Sequence, residues 1–145
     1  MATPPNNYFA TNVVTIPDQV STPVGAPNVI TLDYFAEGIS EYTLSCAQFT
    51  SYLTYVIVVG PTTGSGVTIY LPSTSNLLGQ TVVIKNACAD ILKVDTVSGV
   101  TLDEGDYANI TLDPPGSPGN RGSVTVVANP TNTDSWYVTD VFIQL

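Results

Sequence analysis

The stretch GQTVVIKNACADILKVDTVSGVTLDEG, residues Gly79–Gly105, sets the pattern of the whole chain. It contains three short runs in which apolar and polar residues alternate, and each run is closed by small or acidic residues. Alternation over about 4–8 residues is typical of a half-buried β-strand, because successive side chains of a strand point to opposite faces of the sheet. This stretch therefore predicts three consecutive strands joined by tight turns.

Runs of the same kind continue on both sides of this stretch, with turn residues after roughly every 8–12 positions. No helical run separates them, which disfavours α/β architectures. The chain has no strict sequence repeat, which argues against a solenoid. We therefore expect an all-β fold, an antiparallel β-sandwich or jelly-roll-like domain of about nine short strands with an extended N-terminal arm.

Individual runs give more detailed expectations. The run Tyr52–Val59 is so rich in β-branched and aromatic residues that we expect it to be buried on both faces. The run NVITLDYF at 28–35 predicts an earlier strand, and Ser45 before CAQF predicts the one helical turn of the chain. Two strands show a clear inward face, which comprises Val67, Ile69 and Leu71 in one and Ala108, Ile110 and Leu112 in the other.

Composition excludes several classes of function. The 145 residues are enough for one domain with a core of its own, but only 10% are charged and the net charge is −9. Three cationic residues cannot neutralise a nucleic-acid backbone or an anionic membrane, so we expect neither partner. The chain has no histidine, the commonest general base and metal ligand. We expect no enzyme activity, no cofactor and no metal.

The two cysteines, Cys46 and Cys88, are too few for a disulfide framework. Buried free thiols are the favoured interpretation, and a bridge between them is the alternative. The first residues contain no basic and apolar signal-peptide regions, and no apolar run approaches the length of a membrane span. We therefore expect synthesis in a cytoplasm.

Residues 1–28 differ in composition from the rest and form a predicted attachment arm, separate from a β-sandwich domain at 29–145. The arm contains five prolines, which disfavour helix and central strand, and it carries one acid and no cation. Packing of this arm on a neighbouring subunit is favoured, and packing on its own domain is the alternative. Its expected anchors are the larger apolar residues Tyr8, Phe9, Val13, Val14 and Ile16.

Short motifs occur in a fixed order between residues 52 and 138. They are YVIVV, then VTIYLP, GQTVVIKN, a Ser98-Gly99 turn, GSVTVVA and WY. This order resembles a β-rich, usually trimeric structural module of bacteriophage and large-virus capsid decoration (cement) and fibre proteins. The chain departs from that pattern at LDEGD and in the proline-rich loop 113–122.

The resemblance implies a virion structural protein, with a capsid decoration or cement (minor capsid) subunit as the best match. It implies a homotrimer on the virion surface that stabilises the shell, after synthesis in the host cytoplasm. The other partner would be the major capsid protein or a neighbouring virion subunit, reached through the arm. The alternative is a fibre or a receptor- or glycan-binding module of a virus head or tail.

Two groups of side chains have alternative interpretations. The acids Asp103, Glu104 and Asp106 would suit calcium, but they lack EF-hand spacing, and an acidic turn explains them equally well. Paired carboxylates would suit glycoside hydrolysis, but twelve acids always contain some pair. The aromatic residues would serve as stacking platforms for a glycan, or as ordinary strand and interface residues. They are Tyr34, Tyr42, Tyr52, Tyr55, Tyr70, Tyr107, Trp136 and Tyr137.

Overall fold

A computed structural model describes residues 26–116, 119, 121–129, 131 and 134–143. Ten strands occur in this described part of the chain. They are β1 (Asn28–Asp33), β2 (Glu41–Thr43), β3 (Leu53–Gly60), β4 (Val67–Leu71), β5 (Thr81–Cys88), β6 (Leu92–Thr96), β7 (Thr101–Leu102), β8 (Ile110–Leu112), β9 (Arg121–Ala128) and β10 (Ser135–Ile143).

The strands form two mixed sheets. One has six strands in the order β1-β3-β5-β9-β10-β7, and the other has four in the order β2-β4-β6-β8. The prediction of a mostly β protein is confirmed. All nine predicted strands are present, and the tenth, β2, lies in a stretch whose alternation is too short to predict it.

The predicted antiparallel, jelly-roll-like arrangement is wrong, because five of the eight strand pairings between described residues are parallel. From β1 to β6 the chain alternates between the two sheets, so that each strand pairs with the next but one. Thr54 thus pairs with Asn28, 26 residues earlier, and with Val82, 28 residues later. The intervening strand of the other sheet is the long crossover that parallel pairing requires. The chain winds like a short solenoid although its sequence has no repeat.

The winding stops after β6. Strand β8 pairs antiparallel with β6, and β9 pairs antiparallel with β5. Strands β9 and β10 then form an antiparallel pair with two register shifts. These three pairings are the antiparallel part of the mixed sheets.

The core lies between the sheets and contains alternate residues of both. The predicted inward face of β4 is confirmed, since Val67, Ile69 and Leu71 are buried. Ile110 and Leu112 are buried as well, whereas Ala108 is exposed because β8 begins only at Ile110. One continuous cluster of buried apolar residues therefore holds the two sheets together.

Strand β3 differs from its prediction in a way that bears on function. Val56 and Val58 are fully buried, but Tyr55 on the opposite face is 37% exposed. The expectation of burial on both faces is thus wrong for the described chain. The side chains that alternate with the buried ones point away from the core, and Leu53, Ile57 and Val59 among them are half-buried.

The helical segments are short. The predicted turn after Ser45 is a 3₁₀ turn at Cys46–Gln48, but it is not the only one in the described chain. Helix α1 (Tyr34–Glu37) is capped by the preceding residue, Asp33, whose Oδ1 accepts a hydrogen bond from Ala36 N at 3.0 Å. A second 3₁₀ turn occupies Asp103–Gly105.

The predicted boundary between arm and domain falls inside β1. Asn28, assigned to the arm, is the first residue of this strand, and its Nδ2 donates to Gln48 O at 2.6 Å. Asn28 therefore belongs structurally to the body, and we use 1–25 below for the segment that precedes the described residues.

Candidate functional site

The predicted arm anchors fall outside the described residues. These are Tyr8, Phe9, Val13, Val14 and Ile16. Their role stays a prediction, and the candidate site must be sought on the body.

The acidic loop considered for calcium uses its carboxylates to fix its own backbone. Asp103 Oδ1 accepts from Val138 N at 2.7 Å, and Glu104 Oε2 accepts from the Tyr137 hydroxyl at 3.0 Å. That hydrogen bond raises the pKa of Tyr137. Both acids have positive φ, 46° and 57°, a conformation that costs energy and that these contacts stabilise. Within the described residues no group of three or more His, Cys, Asp or Glu side chains is placed to hold a metal ion.

The best-connected carboxylate is one that sequence reasoning missed. Asp90 is 7% exposed, and its two oxygens accept from the hydroxyl of Tyr34 at 2.6 Å and from Thr62 Oγ1 at 2.7 Å. They also accept from the backbone and hydroxyl of Thr63, at 2.6 and 2.9 Å. The hydrogen bond from Tyr34, followed by those from Thr63 and Thr62, lowers the pKa of Asp90 far below its ordinary value. Burial, followed by the hydrogen bond to Asp90, raises the pKa of Tyr34.

This arrangement gives Asp90 a structural role. All of these donors point at one carboxylate, so Asp90 ties helix α1 and the β3–β4 connection to the start of β6. Of three depressions on the described surface, of about 350, 320 and 190 Å³, only the smallest is lined by an acidic residue, which is Asp90. The linings of these three depressions therefore contain no pair of carboxylates of the kind that glycoside hydrolysis needs.

Asp134 ties a second pair of loops in the same way. Its Oδ1 accepts from the backbone and hydroxyl of Thr74 at 2.7 and 3.0 Å, and its Oδ2 accepts from Ser73 Oγ at 2.9 Å. The backbone hydrogen bond from Thr74 lowers the pKa of Asp134. A short Ser-Thr loop following a proline is the sequence signal that would have found this contact.

The two cysteines are free thiols, as favoured from the sequence, but only one of them is buried. Cys46 is exposed because it lies in the 3₁₀ turn after β2, outside the alternation of any strand. Burial raises the pKa of Cys88, which makes it a poor nucleophile.

Several residues of the motifs behind the resemblance lie in the core. Trp136 of the WY motif is fully buried and donates from Nε1 to the carbonyl oxygen of Pro72 of the LP motif at 2.8 Å. Asn86 of the IKN motif is also fully buried, and its Nδ2 donates to Asp90 O at 2.9 Å and to Leu112 O at 3.0 Å. These motifs hold the two sheets together and carry no reactive group.

The aromatic residues divide into two groups. Tyr34 and Trp136 are buried and hydrogen-bonded, so they are unavailable to a glycan. Tyr52 and Tyr107 are 67% and 42% exposed. Tyr55 lies on the outward side of the six-stranded sheet, among other apolar side chains.

That side of the sheet is the candidate functional site, and we call it the outer face. It is the side of β1, β3, β5, β9 and β10 that faces away from the core, and on β1, β3, β5 and β9 its residues alternate with core residues. Its apolar centre is formed by Leu53, Tyr55, Ile57, Val59, Val83 and Val127. Lys85 also points outward here, and its register neighbours are Ile57 and Ser123.

Comparisons with protein-family models, with curated proteins and with solved structures found no match. Within the described residues no helix is long and apolar enough to cross a membrane. The geometry thus defines a rigid β scaffold with one unusually apolar face.

Proposed function

We propose that this chain is a virion structural protein, specifically a capsid decoration or cement subunit that assembles as a homotrimer and stabilises the shell. The observation that carries the proposal is the ordered set of motifs between residues 52 and 138. The buried positions of Pro72, Asn86 and Trp136 support it, because a shared scaffold preserves the residues that hold its sheets together.

The body has the properties of a building block. Its two sheets share one core, and the carboxylates of Asp90 and Asp134 fix the connections between strands. These contacts restrict the loops, and a stiff body suits a protein whose task is to hold other subunits in place. The outer face supplies an apolar surface for association.

In this proposal the fold is a sandwich-like body with an extended N-terminal arm. Residues 1–25 reach neighbouring subunits, with Tyr8, Phe9 and Ile16 among the anchors. A fully extended residue advances about 3.3–3.6 Å, so even half of the arm spans tens of ångströms. The partners are other copies of this chain and the major capsid protein.

The proposal is tested by adding the purified chain to particles that lack it and locating it by electron cryomicroscopy. Light scattering on the free chain should give three times 15.3 kDa. Density between capsomers supports a decoration role, whereas density at a vertex or tail supports a fibre. Failure to bind the particles, with a monomeric mass, would refute the proposal.

A variant that begins at Ala26 separates the role of the arm from that of the body. The core cluster formed by the described residues lies entirely in the chain that remains. We expect this variant to fold, with an unchanged circular dichroism spectrum, and to lose particle binding. Binding equal to that of the full chain would place the attachment surface elsewhere.

The alternative, a fibre or receptor- and glycan-binding module, is favoured by two exposed tyrosines, Tyr52 and Tyr107. Exposed aromatic rings can stack on sugar rings. A glycan array probed with the chain and with a Tyr52→Ala, Tyr107→Ala double variant tests this role. Binding that the double variant loses supports the alternative, and absence of any binding counts against it.

A further inference from the structure

The outer face is patterned for burial, but the side chains at its apolar centre are at most half-buried in the described chain. Strands β1, β3 and β5 run parallel. Parallel sheets occur almost always with both faces covered, and their strands read as continuous apolar runs. The run LTYVIVV of β3 has this composition, yet Tyr55 is 37% exposed and Val29 beside it is 57% exposed. The composition of β3 therefore predicts that its outward side is buried, and the described body does not bury it fully.

The four-stranded sheet shows the contrast. Its outward residues are hydroxyl-bearing or charged, among them Glu41, Thr68, Lys93 and Thr111. The outer face also carries polar residues toward its margins, among them Asp33, Thr81, Thr125 and Arg121. Its contrast with the four-stranded sheet lies in β3, whose outward residues Leu53, Tyr55, Ile57 and Val59 are all aliphatic or aromatic.

The size of the outer face suits a short length of chain. Five strands at a spacing of about 4.8 Å span roughly 19 Å, and seven residues of β3 span roughly 20 Å. The resulting area of roughly 400 Å² is about half of what one partner contributes to a standard protein–protein interface. An extended segment of 25 residues, roughly 80 Å long, would cover it in several passes.

Residues 1–25 are such a segment, and their composition complements the face. They precede β1, the edge strand of this sheet, and they contain Tyr8, Phe9 and other apolar residues. Their one charged side chain is Asp18. The centre of the face holds Lys85, whose ammonium group forms no ion pair or hydrogen bond with any described residue. An aspartate in a cation-free segment is the natural partner for this lysine.

The residues next to the segment favour a neighbouring copy as the acceptor. Pro27 has a fixed φ and restricts Ala26 to extended conformations. An extended Ala26 favours a chain that continues the line of β1 over one that turns straight back across its own sheet. We propose that residues 1–25 of one copy lie on the outer face of a neighbouring copy, with Asp18 paired to Lys85. This inference rests on the proposed function, since it names the surface that receives the arm within the homotrimer.

Photo-crosslinking of the full chain tests the proposal. p-Benzoylphenylalanine replaces Phe9, the purified protein is irradiated, and the products are separated on a denaturing gel. Docking on a neighbour gives a covalent dimer at twice 15.3 kDa, whereas docking on the same copy leaves the band at 15.3 kDa. Mass spectrometry of a chymotryptic digest then locates the crosslinks, which we expect on the outward residues of β3, β5 and β9.

Matched charge variants make the test specific. Lys85→Glu should lower the dimer yield about tenfold, because it places like charges together. Lys93→Glu, the same change on the four-stranded sheet, should leave the yield unchanged. Asp18→Lys should lower the yield as Lys85→Glu does, and the double variant Asp18→Lys, Lys85→Asp should restore it. Circular dichroism checks that each variant is folded.

Three results would overturn the inference: crosslinks confined to the monomer band, crosslinks on the four-stranded sheet, or equal effects of the Lys85 and Lys93 substitutions. The assay contains no viral particle, so its failure leaves the virion role untouched. Conversely, if the chain forms these crosslinks but never binds particles, the result supports docking between copies and refutes the proposed virion function.

Discussion

Replacement of Asn86 by alanine should be among the most destabilising single substitutions in the body. The side chain is fully buried and forms hydrogen bonds with three backbone groups. Its Nδ2 donates to Asp90 O and Leu112 O, and its Oδ1 accepts from Cys88 N at 3.0 Å. These bonds join β5 to the start of β6 and to β8, and thereby connect the two sheets.

The magnitude follows from the backbone groups that lose a partner. A buried polar group left without its hydrogen bond costs about 1–3 kcal/mol. The lower end applies here, because a carbonyl has a second lone pair and Asp90 O also lies 3.3 Å from Cys88 Sγ. For three groups we expect a loss of about 3–5 kcal/mol in the free energy of unfolding. Since domains of this kind are stable by about 5–15 kcal/mol, the variant should be marginal.

Urea unfolding followed by tryptophan fluorescence measures this loss. The chain has one tryptophan, Trp136, which is fully buried and therefore reports on the core. With a slope of about 2 kcal/mol per molar urea, the midpoint should fall by roughly 1.5–2.5 M. All samples need the same protein concentration, because association shifts the apparent stability.

Asn76→Ala provides the matched control, because Asn76 is exposed in the turn before β5. That substitution should change the stability by no more than about 0.5 kcal/mol. Asn86→Asp retains the size of the side chain but turns an oxygen toward two carbonyls, so it should be worse than alanine at pH 7. A midpoint for Asn86→Ala equal to that of Asn76→Ala would refute this account of the core.

Three further predictions concern other contacts. The pKa of Asp90 is lower in the folded than in the unfolded chain, so its contribution to stability is complete above its ordinary value of 3.8 and is lost as the pH falls below it. Thermal melts from pH 7 to pH 2 should show this loss, and Asp90→Asn should be less stable at pH 7 with a smaller pH dependence; identical pH profiles would contradict it. Trp136→Phe removes the donor to Pro72 O and should cost about 1–3 kcal/mol by urea unfolding followed by circular dichroism, whereas an unchanged midpoint would mean that this hydrogen bond contributes nothing. Gly66→Ala forces a Cβ at φ +77° to within 2.9 Å of Ile91 O, so its melting temperature should fall; an unchanged value would show that the turn relaxes freely.

Much of the fold could be predicted because its signals are local. The alternation of Val67, Ile69 and Leu71 shows which side of β4 is buried, whatever the partner strand. Ser45 and Gln48 form the predicted helical turn, in which Ser45 N donates to Gln48 Oε1 at 2.8 Å. Each of these features depends on residues only a few positions apart in the chain.

The candidate site could be predicted only in part. The apolar excess of β3 is visible in the sequence, where it predicts that both faces of the strand are buried. Recognising the outer face required the register that places Ile57, Lys85 and Ser123 side by side. The role of Asp90 was also invisible, since its donors Tyr34 and Thr62 lie 56 and 28 residues away in sequence.

By itself, the sequence determined that this protein is mostly β, where nearly every strand lies and which side of several strands is buried. Side-chain alternation has a period of two in either strand direction, so it carries this information but not the choice of partner. Only the tertiary structure decided that β1 to β6 wind alternately through two sheets in parallel, because pairing at separations such as 26 and 28 residues depends on closing long loops. The same winding brings the apolar outward residues of β1, β3 and β5 into one continuous face.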